Sequence, residues 1–125
     1  MKWIVDSHKD VNRFNANSID IRAEGRGDPP NRGDVYQITA LASGMSVVAT
    51  TEIRFQNGDP RMGVNGITDE ALLAVVIDRL EKFQTGVTRC RENALAITKL
   101  EEAMHWLRHR SADREHRGVE HEELP

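Results

Sequence analysis

Residues 68–118 read TDEALLAVVIDRLEKFQTGVTRCRENALAITKLEEAMHWLRHRSADREHRG, and this stretch decides the fold. Thr68 has the side chain of a helix N-cap, and Asp69 and Glu70 set two carboxylates at the positive end of the helix dipole. Leu72, Leu73, Val76, Ile77, Leu80 and Phe83 follow at the helical period and form one apolar stripe, with Val75 off it. Burying each of these large side chains contributes roughly 1.5–3 kcal/mol. Gly86 is the expected stop of this helix. A second helix is expected from Thr88 to about Arg117, because neither proline nor glycine interrupts it before Gly118. Its stripe is Ala96, Ile97, Leu100, Ala103, Met104 and Leu107, with Asn93 and Ser111 in line and Arg114 near the edge. Leu95 and Trp106 point elsewhere. About thirty helical residues span about 45 Å, whereas a compact domain of this size is only about 30 Å across. One end of the helix, with Leu107 and Trp106, is therefore expected to overhang and to be covered by another copy of the chain.

Working outward, Val35 to Leu41 places Tyr36, Ile38 and Ala40 on one face, and Met45 to Phe55 places Met45, Val47, Ala49, Ile53 and Phe55 on one face. Such alternation predicts two half-buried strands, joined by a hairpin turn at Ala42-Ser43-Gly44. Asn57-Gly58-Asp59-Pro60 ends the second strand, and Gly63 to Gly66 makes another turn. Lys2 to Asp6 and Ile19 to Ala23 are further strand candidates. Glu24 to Asp34, EGRGDPPNRGD, has no apolar residue and is expected to be a mobile loop. The expected fold class is α+β. A small antiparallel β-sheet in the N-terminal half packs on a C-terminal antiparallel helical hairpin with a long second helix. One domain is expected over residues 1–118, β-rich to 62 and hairpin from 63, followed by a flexible tail at 119–125.

Composition narrows the function classes. The chain has 125 residues, 38% hydrophobic and 5% aromatic, with a net charge of -3. That charge provides no global basic field for DNA, so anion binding must be local. Cys90 is the only cysteine, which excludes an internal disulfide and a cysteine-based zinc site and suits a reducing cytoplasm. No apolar run reaches the length of a membrane span, and MKWIVDSHKD has too short an apolar core for a signal peptide. The phosphate loop, the dinucleotide-binding glycine motif and the hydrolase nucleophile elbow are all missing. No enzymatic activity, catalytic residue, cofactor or metal is expected.

Four groups of residues are candidate sites. Arg108, Arg110, Arg114 and Arg117 crowd the last helix turns and could fork onto phosphate oxygens. Cations at a solvated helix C-terminus are the plainer explanation, and Asp113 and Glu115 dilute the patch. Glu101, His105 and His109 have a spacing that can bind zinc, but Arg108 and Arg110 beside them disfavour a dication. Phe83 and Asn93 face each other across the turn, where an aromatic can stack on a nucleobase and an amide can bond adenine. From spacing alone, a core phenylalanine and a polar cap on the helix packing are the simpler explanation. Arg26-Gly27-Asp28 and Arg32-Gly33-Asp34 match the integrin tripeptide, which a glycine-rich loop produces by chance. Asp78, Glu81 and Glu92 near the turn have no partner for acid–base work.

The segment Asn65 to Glu120 resembles a family of bacteriophage anti-defence proteins, the sponges that counter the Thoeris and CBASS immune systems. Ile77 to Gly86 (IDRLEKFQ-x-G), Cys90 to Ala103 (CRENALA-x-TKLEEA) and Trp106 to Glu120 (WL-x-x-R, ending RGVE) carry the resemblance. The β-rich first half, with Phe55 to Gly58 (FQNG), is more similar to the Thoeris branch. The resemblance implies an α+β protein that forms dimers and then hexamers, as a trimer of dimers, and sequesters cyclic nucleotide second messengers without cleaving them. It implies glycocyclic ADP-ribose as ligand, with Phe83 of the F-Q-x-G turn and Asn93 of C-R-E-N as contacts. It implies a separate site for cyclic trinucleotides at Arg110, Ser111 and Arg114. Arg91 is added as a phosphate contact. Val87-Thr88-Arg89 departs from the Pro-Phe-Ala of many relatives, and His121-Glu122-Glu123 makes the tail more acidic than theirs.

The resemblance moves Phe83 with Asn93 to the leading site and the arginines to a second one. Stacking adds roughly 1–3 kcal/mol per base and each arginine bond about 1.5–3 kcal/mol, against about -12 kcal/mol for nanomolar binding. A pocket spanning a dimer interface is therefore expected, in the cytoplasm of the infected bacterial host. The alternative is a phage protein–protein adaptor that grips a host protein through Leu95, Trp106 and the loop. A third reading, an enzyme that degrades the signal, lacks a nucleophile or metal cage.

Overall fold

The computed structural model describes residues 2–4, 19–25, 34–42 and 46–116, with the backbone alone at 2–4 and 114–116. The chain divides into two compact units, residues 1–57 and 58–125. The architecture is α+β, a sheet followed by a C-terminal helical hairpin.

The first unit holds β1 (Lys2–Ile4), β2 (Ile19–Glu24), β3 (Val35–Leu41) and β4 (Val47–Arg54). They form an antiparallel sheet in the order β1-β2-β3-β4. Ile21 lies opposite Ile38, Ala23 opposite Tyr36, Tyr36 opposite Ile53 and Ala40 opposite Ala49. Directly opposed residues share a face, so Ile21, Ala23, Tyr36, Ile38, Ala40, Ala49 and Ile53 gather on one side, while Val35 lies opposite Glu24 and Arg54 on the other. The other side carries Asp20, Arg22, Gln37, Glu52 and Arg54, with ion pairs along the strands at Arg22–Asp20 (2.9 Å) and Arg54–Glu52 (3.0 Å). Ala23 and Val35 are buried. Asp34 is buried too, where its amide donates to the Glu24 carbonyl and its own carbonyl accepts from the Phe55 amide. Tyr36 and Phe55 meet edge to face at 5.7 Å.

The strand expected over 45–55 forms at 47–54, but it is not half-buried. Val47 and Val48 are 64% and 68% exposed, and Ile53 is the one half-buried residue of β4. Position explains this, because in this order β4 has a neighbour on one side only. A bulge adds to it, pairing Leu41 with Val47 and Ala40 with Ala49 so that Val48 has no opposite residue. The Ala42 amide donates to the Ser46 carbonyl at the foot of this hairpin. Residues 26–33 of the expected loop, which carry most of the two Arg-Gly-Asp motifs, lie outside the described residues. So do turn residues 43–45, residues 5 and 6 of the first strand candidate, and the tail at 119–125.

The second unit opens with a single 3-10 turn at Pro60–Met62, capped by the Asp59 carboxylate accepting from the Arg61 amide at 2.9 Å. Gly58 (φ 91°) and Gly63 (φ 145°) bracket it in backbone conformations that L side chains rarely adopt. Helix α1 spans Asp69–Phe83. Thr68 caps it as expected, its hydroxyl accepting from the Ala71 amide at 3.1 Å. Helix α2 spans Arg91–His116. Leu72, Leu73, Ile77, Leu80 and Phe83 of α1 are half-buried, as are Ala96, Ile97, Leu100 and Leu107 of α2. Met104 is the residue of α2 that is fully buried among those described. Val75, Leu95 and Trp106, which the periodicity sets off the stripes, are 64%, 47% and 65% exposed. Ala103 was expected on the stripe and is exposed instead.

Two boundaries differ from expectation, and both corrections concern the turn. Gly86 does not stop α1, which ends at Phe83 with Gln84 as its right-handed C-cap. Thr88 does not begin α2, because its hydroxyl donates back to the Phe83 carbonyl at 2.8 Å. The overhang is also shorter than expected. Helix α2 has 26 residues, about 39 Å, against 15 in α1, about 22 Å. However, Arg110 and Ser111 reach Asp69 and Glu70 at the start of α1. Trp106 and Leu107 therefore precede the residues that meet the start of α1 and are not on a projecting end. Only residues 112–116 of the described helix follow those contacts. Among the described residues no helix is long and apolar enough to cross a membrane.

Candidate ligand sites at the two ends of the hairpin

At the closed end, side chains rather than glycine shape the turn. The Gln84 amide bridges the backbone of Cys90 twice, its nitrogen donating to the Cys90 carbonyl and its oxygen accepting from the Cys90 amide, each at 3.0 Å. The Cys90 carbonyl also accepts from the Ala94 amide, so the same peptide begins the α2 hydrogen-bond ladder. The Thr85 hydroxyl donates to the Lys82 carbonyl at 2.7 Å, satisfying one of the carbonyls left open by the end of α1. These bonds tie the last residue of α1 to the first turn of α2 with little slack.

The turn thus sets Phe83 at one foot and Asn93 at the other, both half-buried. The Arg79 guanidinium lies over the Phe83 ring, 4.9 Å from its centroid, one helical turn before it. Among the described residues the Asn93 carboxamide makes no hydrogen bond, which leaves it two donors and an acceptor. Arg91 is exposed in the first turn of α2. Nearby, Lys82 pairs with Asp78 at 2.9 Å, and that hydrogen bond and charge raise its pKa above the ordinary lysine value. The contributions of Arg79, Gln84 and Thr88 were not read from the sequence. The Arg79–Phe83 spacing of four was the one signal available for them.

The open end is different. One terminal nitrogen of Arg110 lies 3.7 Å from the Asp69 carboxylate and 3.9 Å from that of Glu70. The Ser111 hydroxyl donates to the other Glu70 oxygen at 3.4 Å. Arg110 Nε is buried and has no hydrogen-bond partner among the described residues. The guanidinium expected to serve a phosphate is therefore already beside two carboxylates, and Ser111 is engaged by one of them. The backbone of Arg114 is helical two residues beyond Ala112, and its side chain lies outside what is described. Arg108 is exposed and makes no ion pair among the described residues. On the flank, Trp106 stands between the imidazoles of His105 and His109, with ring centroids at 5.4 and 5.9 Å. Among the described residues no group of three or more acidic, histidine or cysteine side chains is arranged to hold a metal ion.

Fold and side chains together define a class: a small α+β protein whose helical hairpin carries an aromatic, an amide and arginines at a side-chain-locked turn. Residues 48–112, just over half of the chain, match the family model described as the Acb2/Tad1 hairpin domain, and the chain belongs to this family. It is 55% identical over 69 residues to Thoeris anti-defense 1 of Bacillus phage SBSphiJ7, a match covering 54% of this chain and 49% of that protein. The chain thus aligns with about half the length of the curated relative it matches. The family to which the hairpin motifs pointed is the family found.

Proposed function

We propose that the protein is a phage anti-defence protein that binds and sequesters cyclic nucleotide immune signals without cleaving them. It would act as a homo-oligomer, a dimer and then a hexamer, in the cytoplasm of the infected bacterial host. Family membership through the hairpin is the observation that carries this reading, with the relative named for Thoeris anti-defence in support. The geometry is compatible with it. Phe83 offers a face for a base, Asn93 offers an amide with no hydrogen bond among the described residues, and both flank a turn fixed by four side-chain hydrogen bonds, two between Gln84 and Cys90, one between Thr85 and Lys82 and one between Thr88 and Phe83. Glycocyclic ADP-ribose is the first ligand to test, followed by the cyclic di- and trinucleotides of CBASS. One stack and one or two charge-assisted bonds fall short of the roughly -12 kcal/mol that nanomolar binding needs. A second subunit contributing to each pocket would supply the difference.

Calorimetry of the purified protein with glycocyclic ADP-ribose tests the reading, followed by heat release and chromatography of the ligand. Tight binding with intact ligand recovered is the expected result. Recovery of a new product would make the protein an enzyme. Absence of binding to this ligand and to every cyclic di- and trinucleotide would sink the proposal. The exposed Trp106 and Leu95 favour one second reading, a protein–protein adaptor. A stoichiometric host protein retained on the purified chain, with no nucleotide, would favour that reading.

A further inference from the structure

The described cations fall into two sets. Arg22, Arg54, Arg61, Lys82, Lys99 and Arg110 each lie within ion-pair distance of a carboxylate. Arg79, Arg89, Arg91 and Arg108 make no ion pair among the described residues. Three of these four unpaired arginines lie at the closed end of the hairpin, on the last turns of α1, in the turn, and at the start of α2. Carboxylates are not missing there, since Asp78, Glu81 and Glu92 lie in the same stretch. Asp78 is taken by Lys82 rather than by its neighbour Arg79. Arg79 instead rests on the Phe83 ring at 4.9 Å.

From this placement we infer that Arg79 is a binding and positioning residue of the Phe83 site, supplying the charge that recognises a phosphate beside a stacked base. The inference rests on the nucleotide reading given above and adds to it a residue and a specificity. A guanidinium lying over a ring contacts it through its planar face, which leaves its N–H donors at the rim, where they can fork onto an oxyanion. The guanidinium covers part of the ring, and an aromatic ligand must use its remaining surface. Stacking surface and phosphate donor then lie within one helical turn, a spacing that suits the base and the first phosphate of one nucleotide. The site so built selects a planar base that carries phosphate over an uncharged nucleoside.

The test compares the full-length protein with Arg79→Met and Arg79→Lys, titrated with glycocyclic ADP-ribose at low and at physiological salt. Melting temperature and oligomer mass are measured in parallel, so that a folding defect is seen directly. Arg79→Met should weaken binding about tenfold or more, the loss of one charge-assisted contact. It should also flatten the salt dependence, because screening acts on the charge and not on the stack. Arg79→Lys keeps the charge and should recover most of the affinity at low salt. A role confined to packing on Phe83 would leave the salt dependence of Arg79→Met equal to that of the parent protein, and that result overturns the inference. If Arg79→Met binds as tightly as the parent, the inference fails while the nucleotide reading stands. If the parent binds no cyclic nucleotide, both fail.

Discussion

The two ends of the hairpin are built on opposite principles. At the closed end the backbone is satisfied by uncharged side chains, Gln84, Thr85 and Thr88, and the arginines have no carboxylate partners among the described residues. At the open end Arg110 serves as the structural tie between the helices, beside Asp69 and Glu70, and Ser111 joins it. The same residue type thus lacks a carboxylate among the described residues at one end and lies beside two at the other, where its Nε still has no hydrogen-bond partner among the described residues. The difference teaches that counting arginines on a helix says little about anion binding. What matters is whether the fold has already given each one a carboxylate. The two arginine-bearing ends are therefore unequal as ligand sites, the closed end being open to an anion as folded and the open end only after it gives up a contact.

The largest effects are expected where the closed end would meet the base. Phe83→Ala removes the stacking surface and the platform for Arg79, and should cost roughly 1–3 kcal/mol of ligand binding. Calorimetry would register this as a drop of about fivefold to over a hundredfold with oligomer mass unchanged. Next is Asn93→Ala, which removes an amide with no other partner among the described residues. It should cost about 1 kcal/mol in binding and nothing comparable in thermal stability. A melting temperature that falls while affinity holds would make Asn93 a capping residue of the hairpin instead.

The comparison between the ends also explains what was legible in the sequence. The stripes from Leu72 to Phe83 and from Ala96 to Leu107 were readable because helical burial repeats every 3.6 residues and Thr68 is a local cap. Phe83 and Asn93 were readable as positions on those stripes, although their role came from family motifs and not from spacing. The turn was misread because its bonds link residues five and six apart through side chains, Thr88 to Phe83 and Gln84 to Cys90. No period reports such bonds, and Gly86 drew the stop by its residue type alone. Arg110 was read as free because its partners lie about forty residues earlier, at a register fixed only when the helices align. On the sheet, β4 formed where alternation placed it, but the bulge at Val48 breaks that alternation by setting Val47 and Ala49 opposite consecutive residues of β3, and no local pattern reports a bulge.

A further effect, read in stability before binding, tests whether the closed end is as rigid as its bonds imply. Gln84→Ala removes both amide bonds to Cys90 in an exposed turn, and should destabilise the hairpin by about 1–2 kcal/mol. Thermal unfolding would show this as a lower midpoint. Ligand affinity should fall with it, since Phe83 and Asn93 sit at the two feet of the turn. Saturating ligand should then restore part of the lost midpoint, because binding to the folded state stabilises by mass action. A Gln84→Ala protein that melts like its parent would mean the turn is held elsewhere.

The smallest effect addresses the open end directly. Arg110 is about two-fifths exposed, so its loose pairing with Asp69 and Glu70 is worth under about 1 kcal/mol after solvent screening. Asp69→Asn with Glu70→Gln should therefore lower stability only slightly, much of that loss coming from two anions removed at the positive end of α1. If this end is a second anion site, the same double substitution removes the two charges that compete for Arg110. Affinity for a cyclic trinucleotide should then rise a few-fold, an energy of the same order as the pairing released. Affinity for glycocyclic ADP-ribose should stay constant, because the closed end is some thirteen residues of helix away. A protein that loses stability and gains no trinucleotide affinity would leave Arg110 as a helix tie and nothing more, and the contrast between the two ends would become absolute.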